Sequence, residues 1–261
     1  MHTNTLLYHY TTPAGLLQSL DAAGSLCLRA ENLLYSLSSE EYEYGLTIFR
    51  KAIAGYEASR NIPAGKSKAG IPFFRTDRLR LVGPDTEMYF LSFYETLLPA
   101  SPVKEKFRAP AICLGIDYEA LADYCLFENA SLFKCGYDAV QAEAFFLKEL
   151  ETEYERFDFD KEHTLFTKGS RFASLLYTAC SKWKEAHFQA ENEWRLMLYR
   201  TAEETDFCCK EDGLFPFSPV RLPAACLRSV TVYAPAEPLK HLSACKLLME
   251  KNGIEVNPVL F

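Results

Sequence analysis

The chain has 261 residues, 49% hydrophobic and 24% charged, enough to build one large core or two small ones. Its 28 Lys and Arg stand against 35 Asp and Glu, a net charge of -7, and no basic run stands out, which argues against general nucleic-acid binding. No apolar run reaches the ~18 residues of a membrane span, and no basic stretch followed by an apolar core marks a signal peptide at the N-terminus.

Nine cysteines are scattered with no Cys-x-x-Cys pair and no Cys/His zinc spacing. Reduced, mostly buried thiols and a cytoplasmic location are expected. The histidines form no His-x-x-x-His or Glu-x-x-His pattern, so no metal site is expected. There is no Gly-x-Ser-x-Gly elbow for a serine hydrolase. Lys66 to Lys68 after Gly65 lacks the Walker spacing.

In chain order, Leu6 to Thr11 reads as a first strand. Thr12-Pro13 caps a short helix carrying Leu16, Leu17 and Leu20, with Gly24 as its stop. Ser25 to Ala30 alternates as a second strand. A long helix follows from Ser38 or Ser39 towards Arg60, its apolar stripe being Tyr42, Leu46, Phe49, Ile53 and Tyr56. Residues 62–70 read as an exposed loop. Glu87 to Glu95 is a buried strand, and Leu97 to Pro110 a Pro-broken loop with Lys104, Lys106 and Arg108. Ala111 to Asp117 and Leu132 to Asp138 read as strands. Asp138 caps a helix to about Phe157, and Leu165 to Ala186 reads as a second helix. After Arg200 a mixed loop is expected, then a strand at Leu227 to Tyr233, a helix from Glu237 to Asn252 and a terminal strand from Ile254. The pattern predicts an α+β domain with a mainly antiparallel sheet, undivided over 1–261, with a helical pair inserted at about 138–186.

His187 to Arg200 is the most informative stretch. Read as one strand, it places Trp194, Leu196 and Leu198 on one face and Glu191, Glu193 and Arg195 on the other. Two carboxylates roughly 7 Å apart on one face repel each other, so a cation, a ligand or open water must offset them. A solvated face with a surface ion pair worth about 0–1 kcal/mol is the plain alternative.

Several segments together resemble a bacterial family, domain-of-unknown-function family 2971. They are Leu7-Tyr8-His9-Tyr10-Thr11 with its short helix, Tyr89-Phe-Leu-Ser92-Phe93, Lys134-Cys-Gly-Tyr137-Asp138, Phe188-Gln-Ala-Glu191-Asn-Glu193-Trp194-Arg195-Leu196, and Val230 to Pro235. Two departures stand out: Asn32 to Glu43 lacks the family's Pro, and Leu97 to Arg108 lacks its Trp and Tyr. The family's opening in turn resembles the ADP-ribosyltransferase fold, a split sheet with flanking helices. That resemblance implies NAD as co-substrate lying between a His-Tyr-Thr strand and a late Glu. It implies Glu193 as the catalytic carboxylate and Glu191 as its companion, activating an unknown acceptor. It further implies that His9, with Tyr10 or Thr11, binds the ribose end, that Ser92 lies in the site, that Arg195 or the loop cations hold the pyrophosphate, and that Tyr89 or Tyr94 stacks on nicotinamide. A toxin or defence effector is the implied setting. On this reading His9 and Glu193 share one open hollow. The competing expectation is a non-catalytic interaction module, in which Glu191, Glu193 and Arg195 form an internal ion cluster.

Overall fold

The computed structural model describes residues 5–20, 25–36, 39–61, 88–98, 110–156, 178–210 and 213–261. Compactness divides the chain into two units, one of 1–35, 87–134 and 191–261, the other of 36–86 and 135–190.

The first unit holds the sheet. Its strands are β1 (Leu6–Thr11), β2 (Ser25–Asn32), β3 (Met88–Tyr94), β4 (Ala111–Asp117), β5 (Ala130–Lys134), β6 (Glu193–Tyr199), β7 (Asp206–Lys210), β8 (Gly213–Pro223), β9 (Leu227–Tyr233) and β10 (Val259–Leu260). All described pairings are antiparallel except β9 with β10. The order runs β10-β9-β4-β1-β3-β2-β8-β7, with β6 and then β5 branching from β3.

That branching forks the sheet. β6 pairs with β3 along its whole length, from Met88 opposite Tyr199 to Tyr94 opposite Glu193. A strand has only two edges, so β1 and β2 must share the other one. β1 holds its C-terminal end through Tyr8 opposite Tyr94. β2 holds its N-terminal end through Glu31 opposite Phe90 and Asn32 opposite Tyr89. Between these joints, Leu91, Ser92 and Phe93 have no ladder partner on that edge among the described residues.

Strand alternation sorts the side chains. Leu7, Leu28, Leu91, Phe93, Leu114, Leu196 and Val230 bury on one face and form the main core. Each such side chain contributes about 1.5–3 kcal/mol relative to exposure. Tyr10, Tyr94, Leu98, Ala111 and Cys113 form a smaller cluster on the reverse. Helix α1 (Pro13–Ser19), capped by the Thr12 hydroxyl accepting from the Gly15 N–H, buries Leu16 in the main core. The unit also carries α4 (Tyr118–Phe127) and α6 (Pro238–Lys251). A short α2 (Leu33–Ser36) follows β2 across the division between the units.

The second unit packs α3 (Ser39–Ser59) against α5 (Ala139–Arg156) and a helical stretch at 178–182. Leu46, Phe49, Ile53 and Tyr56 of the expected stripe are buried, and Phe49 meets Phe146 edge-on with centroids 5.5 Å apart. Asp138 caps α5, its Oδ1 accepting from the N–H groups of Val140 and Gln141.

Several boundaries differ from the sequence expectation. The mixed loop expected after Arg200 contains two strands: Asp206 to Lys210 pairs with Gly213 to Phe217 in the β7–β8 hairpin, because alternating burial against β2 outweighs the three prolines in β8. The strand at Leu132 stops at Lys134 rather than Asp138. The helix expected to reach Ala186 ends at 182, where Trp183 bridges to Gly136; its part from 165 to 177 lies outside the described residues, as do Gly24, the loop 62–70 and the cations Lys104, Lys106 and Arg108. In the terminal segment only Val259–Leu260 is strand.

Gly45 is where α3 approaches the 178–182 stretch. A Cβ there would lie 2.5 Å from Cys180 Cα and 2.6 Å from the Ala179 carbonyl oxygen. Backbone cannot swing away as a side-chain tip can. Gly45→Ala is therefore expected to destabilise by about 1–3 kcal/mol by overpacking, despite the higher helix propensity of Ala. Urea denaturation of the two proteins measures the difference.

Candidate functional site

The cluster is built by the β3–β6 register. Antiparallel pairing sets Ser92 opposite Arg195 and Tyr94 opposite Glu193, so Ser92, Glu193 and Arg195 share a face. Ser92 Oγ donates to Glu193 Oε1 at 2.5 Å. Arg195 Nε donates to the same oxygen at 2.9 Å, and Nη2 to Oε2 at 3.3 Å. The guanidinium lies 4.8 Å above the Phe90 ring, a cation–π contact that holds its plane. Glu193 is 1% exposed and Arg195 2%. This is a buried ion pair, not a solvated surface face. Desolvating two charges is offset only by close geometry and further hydrogen bonds, and Ser92 and Phe90 supply both.

His9 reaches the same strand from the fork. Its Nδ1–H donates to the Ser92 carbonyl at 3.0 Å, on the edge left open between β1 and β2. That bond fixes the Nδ1–H tautomer and leaves Nε2 as an acceptor. Burial lowers the His9 pKa below its ordinary value, outweighing the opposite pulls of the Ser92 carbonyl and the Glu31 carboxylate. The ring packs 5.7 Å from Phe93.

His9 and Glu193 do not share one open hollow. His9 pairs with Leu114 on the main-core face, whereas Glu193 lies with Tyr94 on the reverse. They converge on Ser92 from opposite sides, one through its carbonyl and the other through its hydroxyl.

Glu191 also departs from the expected pattern. A 3-10 turn covers Ala186–Glu191, and Asn192 adopts φ 43° before β6 begins. The left-handed residue breaks the alternation, so Glu191 does not share the strand face of Glu193. Tyr10 is buried on the reverse face, its hydroxyl accepting from the Leu98 N–H at 2.8 Å and its ring edge-on to Tyr94. Thr11 ends β1 opposite Ile112. Neither expected stacking ring is free: Tyr94 is 1% exposed, and the Tyr89 hydroxyl hydrogen-bonds Thr205 Oγ1 at 2.8 Å. Arg195 is committed to Glu193 rather than open to a pyrophosphate.

Two neighbours escaped the sequence reading. Glu31 sits at the β2 joint of the fork; the alternation of Ser25 to Asn32 gives its face, but nothing local places it near His9. Glu95, just past β3, accepts from Lys134 Nζ at 2.7 Å and from Trp194 Nε1 at 2.9 Å. Its pKa is lowered although desolvation, the largest effect, opposes the shift; the Lys134 and Trp194 donors together outweigh it. This clamp orients Trp194, whose ring stands edge-on to Tyr118. Among the described residues no group of three or more His, Cys, Asp or Glu is placed to hold a metal ion, and no helix is long and apolar enough to cross a membrane.

No protein-family model matches the chain, and no curated protein does. A solved structure, Thermus sp. 2.9 DarT in complex with NAD+, aligns over 99% of this chain and 96% of its own, at 10% identity and a TM-score of 0.36. That superposition is looser than a shared fold requires.

Two outcomes follow from the cluster. Arg195→Met leaves a buried carboxylate without its cation and is expected to cost about 3–5 kcal/mol, while Glu193→Leu combined with Arg195→Met recovers most of the loss; urea midpoints report both. For His9, a lowered folded pKa means that the unfolded chain takes up the proton more readily. Its contribution to stability is present above about pH 6.5 and is lost as pH falls through the lower folded value. His9→Gln is expected to flatten that acid limb in melting temperatures measured across pH.

Proposed function

We propose that the protein is ADP-ribosyltransferase-like and consumes NAD, with Glu193 as the catalytic carboxylate. The observation that carries this reading is the fixing of Glu193 by Ser92 and Arg195 on the strand that forms the back of the fork. A carboxylate offers about four lone-pair positions. In this reading one of those positions takes a ribose 2′-hydroxyl.

Cleavage of the nicotinamide–ribose bond sends its electron pair to the nicotinamide nitrogen and builds positive charge on the ribose carbon. A preorganised carboxylate at the 2′-hydroxyl stabilises that charge as it forms. The acceptor nucleophile bonds to the ribose carbon and gives up its proton, with Glu191 as the base. The Nε2 of His9, an acceptor in the Nδ1–H tautomer, accepts from a ribose hydroxyl. Arg195 is a positioning residue here, holding Glu193 rather than phosphate. Since His9 and Glu193 flank opposite sides of Ser92, the ligand lies across the open edge of β3, and Glu193 becomes reachable when the arms of the fork part. The acceptor is a cellular target of the kind a bacterial toxin or defence effector modifies.

One observation favours a second reading. A carboxylate only 1% exposed and doubly held by arginine is also what a closed, non-catalytic interaction module contains. The two readings separate on one substitution. If the protein consumes NAD, purified protein releases nicotinamide, and Glu193→Gln lowers the rate by at least about a hundredfold while NAD still raises the melting temperature. If it is an interaction module, Glu193→Gln shifts only the melting temperature, and millimolar NAD produces neither heat in calorimetry nor thermal stabilisation. That last result overturns the enzyme.

A further inference from the structure

On the main-core face, well away in sequence from Glu193, the first unit has an apolar pocket of about 260 Å³. Its floor is Ile112 of β4 and Val232 of β9, adjacent strands that are both buried. One wall is α1, through Pro13, Leu16 and Leu17. The other is α6, through His241, Ala244, Cys245 and Leu248. The four α6 positions follow the i, i+3, i+4, i+7 spacing of one helix face. Its middle pair is small. Where a helix packed for stability alone places leucines, α6 places an alanine and a cysteine, and the space is what those short side chains leave.

The pocket does not close by relaxation. Its floor is held by the β4–β9 ladder, and Pro13 fixes the start of α1. Burial raises the Cys245 thiol pKa, keeping it an uncharged lining atom. Among the described residues no carboxylate, ammonium or guanidinium lines the space, so a phosphate-bearing ligand finds no partner among them, and the site is distinct from any NAD site at the fork. Among the described lining residues the imidazole of His241 is the one polar side chain apart from the thiol. The volume exceeds the about 150 Å³ of an apolar cavity that takes benzene, and it approaches the about 300–1,000 Å³ of small-molecule sites.

We propose that this pocket binds a small, mainly apolar ring compound of about two fused rings, with one hydrogen-bonding group set against His241. The probe is 1-naphthol with the full-length protein, followed by its fluorescence. Saturable one-to-one binding is expected. Ala244→Phe, which fills the pocket from α6, is expected to weaken binding at least about tenfold without lowering the melting temperature. His241→Leu is expected to weaken 1-naphthol while leaving naphthalene binding unchanged. If Ala244→Phe does not fold, Ala244→Leu is read by the same criterion. The proposal is overturned if wild-type protein shows no saturable binding, if a folded, filled variant binds undiminished, or if His241→Leu leaves 1-naphthol binding as it was. NAD turnover is not a readout here, so failure at this pocket and failure at the fork remain separate.

Discussion

The ion pair between Glu193 and Arg195 is the constraint around which the central strands are arranged. Both side chains are almost wholly removed from water, and a lone charge in either position is costly. The pair holds only while β3 and β6 stay in register, because Ser92 and Phe90 must present a hydroxyl and a ring at the right rungs. A slip of one residue carries every β6 side chain to the wrong face, sending Trp194, Leu196 and Leu198 out of the core and both charges into it. The electrostatics therefore specify the same register as the hydrophobic pattern.

The fork follows from how β3 is shared. β6 occupies one edge entirely, so β1 and β2 divide the other. His9 satisfies part of the backbone left between them by donating to the Ser92 carbonyl. One serine thereby links the two chemically distinctive groups, its main chain holding the imidazole and its side chain the carboxylate. The proposed NAD chemistry depends on that linkage, since alternation places the two groups on opposite faces.

Much of the sheet was legible in the sequence because strand signals are local. The period-two pattern of Trp194, Leu196 and Leu198 against Glu193 and Arg195 reads correctly, and so do the caps at Thr12 and Asp138. The break at Asn192 was not legible: a left-handed residue at the mouth of a strand depends on tertiary packing, and it removes Glu191 from the face that alternation assigned to it. The β7–β8 hairpin was hidden by prolines in a strand whose burial comes from β2, far away in sequence. The position of His9 relative to Glu193 was beyond local reading altogether, because it depends on which edge of β3 each neighbour takes. The buried state of Arg195 was anticipated as a carboxylate partnership; its aromatic platform, Phe90, lies more than a hundred positions earlier.

The economy of the joints at the fork has a mechanical consequence. Among the described residues the two arms meet β3 through one ladder rung at Tyr8 and Tyr94, a pair of rungs at Phe90 and Tyr89, and the His9 side-chain bond to Ser92, whereas β6 stays laced to β3 from end to end. Spreading the arms strains those few rungs and the His9–Ser92 bond and leaves the β6 ladder, with its buried charges, untouched. The compliant seam of the molecule thus runs beside its stiffest strand pair, and a flat guest wedged into that seam would work against a hinge instead of against the core.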